Sequence, residues 1–446
     1  MHHSRPIIKT ELPGPKAKEI IDADKQYVTT SFNRYPYHLA VEKGFGMWIE
    51  DTDGNVFMDC NAGFAVCSTG HCHPEVVEVI KKQTEKLIHM CGTNYYYRQM
   101  PDLAKKLDEL VPIKSPTRTY FANSGAEAVE TALKLAMYHT KRQRFISFMG
   151  SFHGRSLGTL SLTASKKIHQ VGYMRRVLDV AHVPYPTKLR SPFANVTDDD
   201  SASKATIDYI ENFIFKFTTP AEDVAGIVVE ALQGEGGYFP APQSFLKELR
   251  RICNENGILL IVDEVHSGMG RTGKMFATEY YDVEPDIMCM SKGIASGLPI
   301  AVCVARADVM DWPRGSHAST FGGNPVCIAA ALKTIELLEN GLTENARIVG
   351  EYLTDGLTKL KDKYDCIGDV RGRGLMIGVE IVESKETMKP TPELRDKIEK
   401  ACYDRGLLIF GGGGISVIRW APPLIMTKEN VDVALDIFDQ AVQASI

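Results

Sequence analysis

The stretch "TRTYFANSGAEAVETALKLAMYHTKR" (Thr117 to Arg142) decides the fold class, because its hydrophobic period changes halfway along. Thr117 to Phe121 is β-branched and aromatic and reads as a short strand. Asn123-Ser124-Gly125 is a tight turn, and beyond it Val129, Leu133 and Ala136 recur at helical spacing. A strand that turns straight into an amphipathic helix is the building step of a βαβ unit. The step recurs along the chain. "RFISFMG" and "AGIVVE" are further strands, and "PQSFLKELRRICNENG", with Pro242 at its start and Gly257 past its end, is a helix feeding the apolar strand "ILLIVD". The chain from about residue 60 to 330 therefore predicts an α/β domain with a mostly parallel, doubly wound sheet. Its ligands are expected beyond the carboxyl ends of the strands.

Outside that region the style changes. After Pro325, long amphipathic helices ("CIAAALKTIELLEN", "NARIVGEYLTDGLTKLKDKY", "TPELRDKIEKACYDRG") surround the strands "GLMIGVEIV" and "ISVIRW", which predicts a smaller α+β domain. Near the N-terminus "GMWIEDTDGNVFMDC" is a hairpin signal with an Asp-Gly-Asn turn. We expect residues 1–60 to pack with the small domain, residues 61–330 to form the large domain and residues 331–446 the small one. "TDDDSASK" (Thr197 to Lys204) reads as an exposed loop, and no internal repeat is evident.

Composition narrows the function. The 446 residues, 44% hydrophobic and 24% charged, are ordinary for a globular protein with a large core. A net charge of −5 without a dense Lys/Arg block gives no electrostatic reason for nucleic acid or an anionic membrane as partner, so small molecules are the expected ligands. The first residues carry no apolar core of a signal peptide, and no run of 18 apolar residues occurs, so a cytoplasmic location is expected. The ten cysteines are scattered through apolar stretches and read mostly as buried thiols. "CSTGHCH", with Cys67, His71, Cys72 and His73, looks like a metal site. No second Cys/His pair follows at finger spacing, and we expect no metal.

One stretch carries two decoy motifs. "GMGRTGK" (Gly268 to Lys274) satisfies G-x-G-x-x-G, yet no sustained helix pattern follows; read as a P-loop it lacks the Ser/Thr, because Met275 stands there. A better anion site is "NSGAEA", where Ser124, Gly125 and Ala126 open a helix after a strand, so free N–H groups and the helix dipole converge. Asp263, at the end of "ILLIVDE", brings a carboxylate to the same rim, where a ring N–H⁺ would satisfy it. Lys292, in "DIMCMSKGIASGLPI", brings an amine. A phosphate cradle, an acid for a ring nitrogen and a nucleophilic amine are the requirements of pyridoxal 5'-phosphate.

These residues also resemble a known family, the class III (ornithine and 4-aminobutyrate type) pyridoxal-phosphate aminotransferases. The resemblance runs nearly end to end through nine ordered blocks: "GNVFMDCNAGFAVCSTGHCHPEV", "NSGAEAVETALKLA", "SFHGRSLGTLSLT", "VEALQGEGGY", "LLIVDEVHSGMGRTGK", "MSKGIASGLPI", "TFGGNP", "VRGRGLMIGVE" and "IRWAPPL". It implies fold-type I, with Lys292 as the Schiff-base lysine and Asp263 as partner of the pyridine nitrogen. It further implies that Ser124, Gly125 and Ala126 hold the phosphate, that Thr320 reaches the phosphate of a neighbouring subunit in a homodimer or dimer of dimers, and that Phe152 and Val265 flank the ring. His153 and Glu230 join the cofactor-binding set. Arg155 would bind a substrate carboxylate, and Glu235 and Arg419 would form a switch pair: closed, it admits a donor with a neutral or cationic α-side; open, it frees Arg419 for the α-carboxylate of glutamate or 2-oxoglutarate.

Two positions depart from the family pattern. His266-Ser267 replaces the usual Gln-Thr, and because an imidazole near the cofactor's phenolic oxygen can titrate near neutral pH, the cofactor's spectrum and pH profile are expected to differ from the family's. Phe64 replaces a smaller aliphatic residue and is expected to reshape the donor pocket. The resulting expectation is a ping-pong aminotransferase that moves an amino group from 4-aminobutyrate or a similar ω-amino or diamino acid to 2-oxoglutarate. Acetylornithine or ornithine follows as donor. The alternatives are an amino-acid racemase or epimerase on the same fold, a nucleotide-binding enzyme built on "GMGRTGK", and a non-catalytic binding protein.

Overall fold

The computed structural model describes residues 3–34, 37–173, 177–412 and 416–446. Its centre is a seven-stranded sheet built from β1 (Thr117–Ala122), β2 (Arg144–Phe148), β3 (Val180–Val183), β4 (Val224–Val229), β5 (Leu259–Asp263), β6 (Ile287–Met290) and β7 (Ala301–Arg306). The order across the sheet is β1-β7-β6-β5-β4-β2-β3. Only β7 is reversed, antiparallel to both β1 and β6; every other pairing is parallel.

The central strands β4, β5 and β6 are buried at every residue, as strands covered on both faces must be. The alternation of side chains shows the two faces. Val228 and Ile261 pack in one core with Val129 and Leu133 of helix α1 (Gly125–Thr140), while Val229, Leu260 and Val262 pack in another with Phe245, Leu249 and Ile252 of helix α2 (Phe245–Asn256). Helix α1 starts at Ser124, whose hydroxyl accepts from the Glu127 N–H at 3.3 Å. Helix α2 begins three residues beyond Pro242 and stops at Gly257, whose φ of +62° is the left-handed geometry that glycine adopts without strain.

One expected loop is a helix. "TDDDSASK" contains Asp198, which accepts from the Ser201 N–H at 2.8 Å, while Ser201 Oγ accepts from the Asp198 N–H at 3.1 Å. This reciprocal cap starts a helix over Asp199–Tyr209 that buries Ala202, Ser203, Thr206 and Ile207. The polar residues are the exposed first turn of a helix, which on composition alone looks like a loop.

Helices α3 (Pro325–Leu337), α4 (Thr343–Lys363), α5 (Pro392–Asp404) and α6 (Lys428–Gln443) accompany an antiparallel sheet of Ile367–Arg373, Met376–Ile381, Val417–Trp420 and Phe410–Gly412, in that order. The early hairpin is present: Trp48–Asp51 pairs antiparallel with Val56–Asp59, which in turn runs parallel to Leu407–Leu408. A single large core joins Met58, Met290 and Val302 to Ile328, Leu353 and Phe438. His71 of the Gly-His-Cys-His-Pro loop bonds Asp59 through Nε2 at 2.7 Å, which ties that loop to the hairpin. All ten cysteines are free thiols, seven of them buried. Among the described residues no helix is long and apolar enough to cross a membrane.

Candidate active site

The sheet delivers its chemistry at one edge. Asp263 is the last residue of β5, Glu230 follows β4, Lys292 lies two residues beyond β6, and Phe152 and His153 lie just past β2. With Gly125 and Ala126 at the start of α1 they line a cavity of about 370 Å³, closed further by Phe64, Arg155, Glu235, Val265, His266 and Ser291. A wider hollow of about 770 Å³ lies at the opposite sheet edge, where Arg250 and Arg306 are both already paired to Asp286. Its lysine, Lys247, is exposed rather than buried.

Asp263 is buried and firmly held. Its Oδ1 accepts from the Val265 N–H at 3.0 Å and its Oδ2 lies 2.8 Å from His153 Nδ1. Burial opposes a proton on His153, but the hydrogen bond and charge of Asp263 outweigh it and raise the imidazole above its ordinary value. Glu230 accepts from the N–H groups of Gly234 and Phe152, at 3.0 and 3.3 Å, and burial pushes its carboxyl up to about 7. Gly125 sits so close to Val265 that a Cβ would approach Val265 Cγ1 to 2.8 Å. The helix start therefore presents bare backbone toward the cavity.

Lys292 adopts a left-handed backbone, φ +43°, a strained choice for a residue with a Cβ. Its Nζ lies 2.9 Å from His266 Nδ1, and burial lowers its amine to about 8, despite the opposing charges of Asp263, Glu235 and Glu230. His266 in turn places Nε2 3.0 Å from Tyr238 Oη. Burial, then the charge of Lys292, pushes His266 well below its ordinary value. The expectation of an imidazole titrating near neutral pH is thus corrected. His266 is neutral there, and with the ammonium of Lys292 donating to Nδ1, the ring donates through Nε2–H to Tyr238.

The two arginines differ in kind. Arg419 is buried, with Nη1 2.7 Å from Glu235 Oε1, and its guanidinium carbon lies 5.1 Å from the ring centre of Phe410, 5.4 Å from Phe64 and 5.7 Å from Tyr238. The Nε and Nη2 atoms are buried without a hydrogen-bond partner among the described residues. Burial would raise the Glu235 carboxyl, yet Arg419 and Lys166 hold it far below the usual range. Lys166 Nζ is 3.0 Å from Glu235 Oε2. Arg155, by contrast, is exposed, 5.7 Å from the Phe152 ring centre, and forms no ion pair among the described residues.

Nearly all the residues singled out in the sequence converge here. Three do not line the cavity: Ser124 is exposed at its rim, Arg419 is buried against Glu235, which does line it, and Thr320 is exposed on a separate loop whose Ser319 accepts from Asn123 Nδ2 at 3.2 Å. Lys166 and Tyr238 escaped the sequence reading. Tyr238 closes the quoted block "VEALQGEGGY" but carries no role there; Lys166 has no local signal.

The donor set suits a phosphorylated pyridine aldehyde. A buried carboxylate with open lone pairs, a buried lysine of lowered basicity and a helix N-terminus without side chains face one space, with Phe152 and Val265 on its walls. Comparison with known proteins agrees. The model of the family described as aminotransferase class-III matches residues 30–442. The chain is 39% identical to an alanine/serine racemase of Pyrococcus horikoshii, over 99% of this chain and 93% of that one. It is 38% identical to an acetylornithine aminotransferase of Caldanaerobacter subterraneus subsp. tengcongensis (95% and 99% covered) and 36% identical to a 4-aminobutyrate aminotransferase of Mycobacterium leprae (99% and 98%). Fold, cavity and similarity converge on one conclusion: the chain belongs to the class III aminotransferases, fold-type I enzymes that work with pyridoxal 5'-phosphate.

Proposed function

We propose that the protein moves the amino group of 4-aminobutyrate, or of a similar ω-amino or diamino acid, to 2-oxoglutarate in a ping-pong reaction. Acetylornithine and ornithine are the next donors in order. The observation that carries this reading is the contrast between the two arginines. An exposed Arg155, with no ion pair among the described residues, can take one carboxylate, whereas Arg419 is masked by Glu235, so the first substrate bears no second anion at that end. A dicarboxylate acceptor needs Arg419 as well.

In this reading Lys292 would hold the cofactor, Asp263 would pair with its pyridine nitrogen, and the N–H groups at Ser124, Gly125 and Ala126 would receive its phosphate. Phe152 and Val265 would flank the ring, His266 would stand by its phenolic oxygen, and His153 and Glu230 would fix Asp263 and the turn around it. When bound, pyridoxal phosphate supplies an electron-poor ring that accepts the electron pair of a broken bond at the amine-bearing carbon. The chain supplies the proton transfers. Lys292 Nζ, lowered to about 8 by burial, takes the proton from that carbon and delivers it elsewhere as general base and then acid. Asp263, held by Val265 and His153, keeps its charge directed at one point in the cavity.

A second subunit completes the proposal. The loop carrying Thr320 packs on residues 88–97 through Thr93, Tyr97 and Asn324, and that surface exposes Ile88, Tyr95, Tyr96 and Phe321. Exposed apolar area of this kind suits burial against another copy, so we propose a cytoplasmic homodimer or dimer of dimers.

A racemase is the second reading, favoured by the 39% identity to the alanine/serine racemase. Racemisation returns a proton to the same carbon on its opposite face, so it asks for a proton donor across the ring from Lys292. Cofactor-loaded protein mixed with single amines, without keto acid, separates the two. Lasting loss of the visible absorbance with 4-aminobutyrate supports transamination; persistence of the band while an α-amino acid turns into its mirror image supports racemisation. Lys292→Ala should lose the visible band and at least ~10³-fold in rate, and a fully active variant overturns the assignment.

A further inference from the structure

Glu235 is the meeting point of two cations, and they reach it differently. Arg419 comes from inside, 1% exposed, and holds Oε1 through Nη1 at 2.7 Å. Lys166 comes from the solvent side, 27% exposed, and holds Oε2 at 3.0 Å. It stands just before the short helical turn Lys167–His169, whose His169 packs edge-on against Phe152 with ring centres 5.5 Å apart. The carboxylate is thus divided, one oxygen to each partner.

The division matters when Arg419 is needed elsewhere. A buried carboxylate that loses its only counter-ion is left uncompensated, and that cost would be charged to any substrate that draws Arg419 away. With Lys166 in place, Glu235 keeps a charged hydrogen bond on its second oxygen throughout. Arg419 itself has two buried donors, Nε and Nη2, without partners among the described residues, so it gains bonds by turning to a carboxylate. We propose that Lys166 is a positioning residue for dual specificity: by holding Glu235 as a second counter-ion, it lowers the cost of releasing Arg419 and so admits a dicarboxylate to a cavity that otherwise takes monocarboxylates.

This inference rests on the reading that Arg419 binds the second carboxylate of the acceptor. Removing Lys166 should not harm the donor, which uses the closed pair; Arg419 then becomes the sole counter-ion and is held more tightly. The test uses the cofactor-loaded enzyme and follows each half-reaction separately. In Lys166→Met, we expect the half-reaction with 2-oxoglutarate to need at least about tenfold more keto acid for half-maximal rate. The reactions with 4-aminobutyrate and with succinic semialdehyde, which has one carboxylate, should stay within about twofold. Binding of unreactive glutarate should weaken in parallel, and Lys166→Arg should restore both. Equal losses for one- and two-carboxylate substrates, or no loss for either, overturn the role of Lys166. A wild-type enzyme that accepts amines but ignores 2-oxoglutarate overturns the acceptor reading, and this inference with it.

Discussion

At the scale of single residues, the chemistry turns on which groups carry protons at neutral pH. Burial lowers Lys292 to about 8 and pushes His266 well below its ordinary range. The neutral fraction of Lys292 rises with pH through about 8, so kcat, which reports on the substrate complex, should rise along a single limb and level off above that value. His266 should add no second limb. Replacing it in His266→Gln, which keeps a hydrogen-bonding group beside Lys292, is expected to shift that limb by less than about half a unit, because the imidazole it removes is uncharged. A wild-type limb between pH 5.5 and 7 that disappears in His266→Gln would show that the ring does titrate there, against this account.

At the scale of elements, the start of α1 argues most clearly from sequence to site. Gly125 follows the cap Ser124 and lies against Val265, so any Cβ at 125 meets Cγ1 at 2.8 Å. Gly125→Ala must push either α1 or Val265 aside, at about 1–3 kcal/mol of overpacking. The displacement falls on the cavity wall. We expect the variant to fold and to release pyridoxal phosphate about tenfold faster in gel filtration or dialysis, whereas retention equal to wild type would mean that Val265 yields freely. The same element explains what was readable beforehand. Asp263, Lys292 and the Ser124-Gly125-Ala126 turn sit where a strong apolar period breaks, so strand and turn chemistry point to them. Lys166 and Tyr238 come from segments without a period and meet Glu235 and His266 only through tertiary packing. Asp199–Tyr209 was hidden differently: its first turn is all polar, and only the reciprocal cap of Asp198 and Ser201 marks a helix.

At the scale of the whole molecule, the two ends of the chain are packed together around a buried acid. Glu399 on α5 is 3% exposed and makes no salt bridge among the described residues. Tyr37 from the N-terminal segment lies beside it, and the Gly411 N–H supports it from the strand that pairs with Arg419. Burial pushes the Glu399 carboxyl up to about 7, against an ordinary value of 4.5, despite the opposing Gly411 and Arg395. The folded chain therefore holds this proton more tightly than the unfolded chain does. The resulting stabilisation is complete below pH 4.5, and it is lost as pH rises towards 7, by about 3 kcal/mol at most. Glu399→Gln keeps an oxygen for Gly411 and has nothing to titrate. Its stability relative to wild type, measured by denaturant unfolding, should climb between pH 4.5 and 7 and then level off. A difference that stays flat across that range would mean that Glu399 remains ionised within the fold and that the two ends are joined by packing alone.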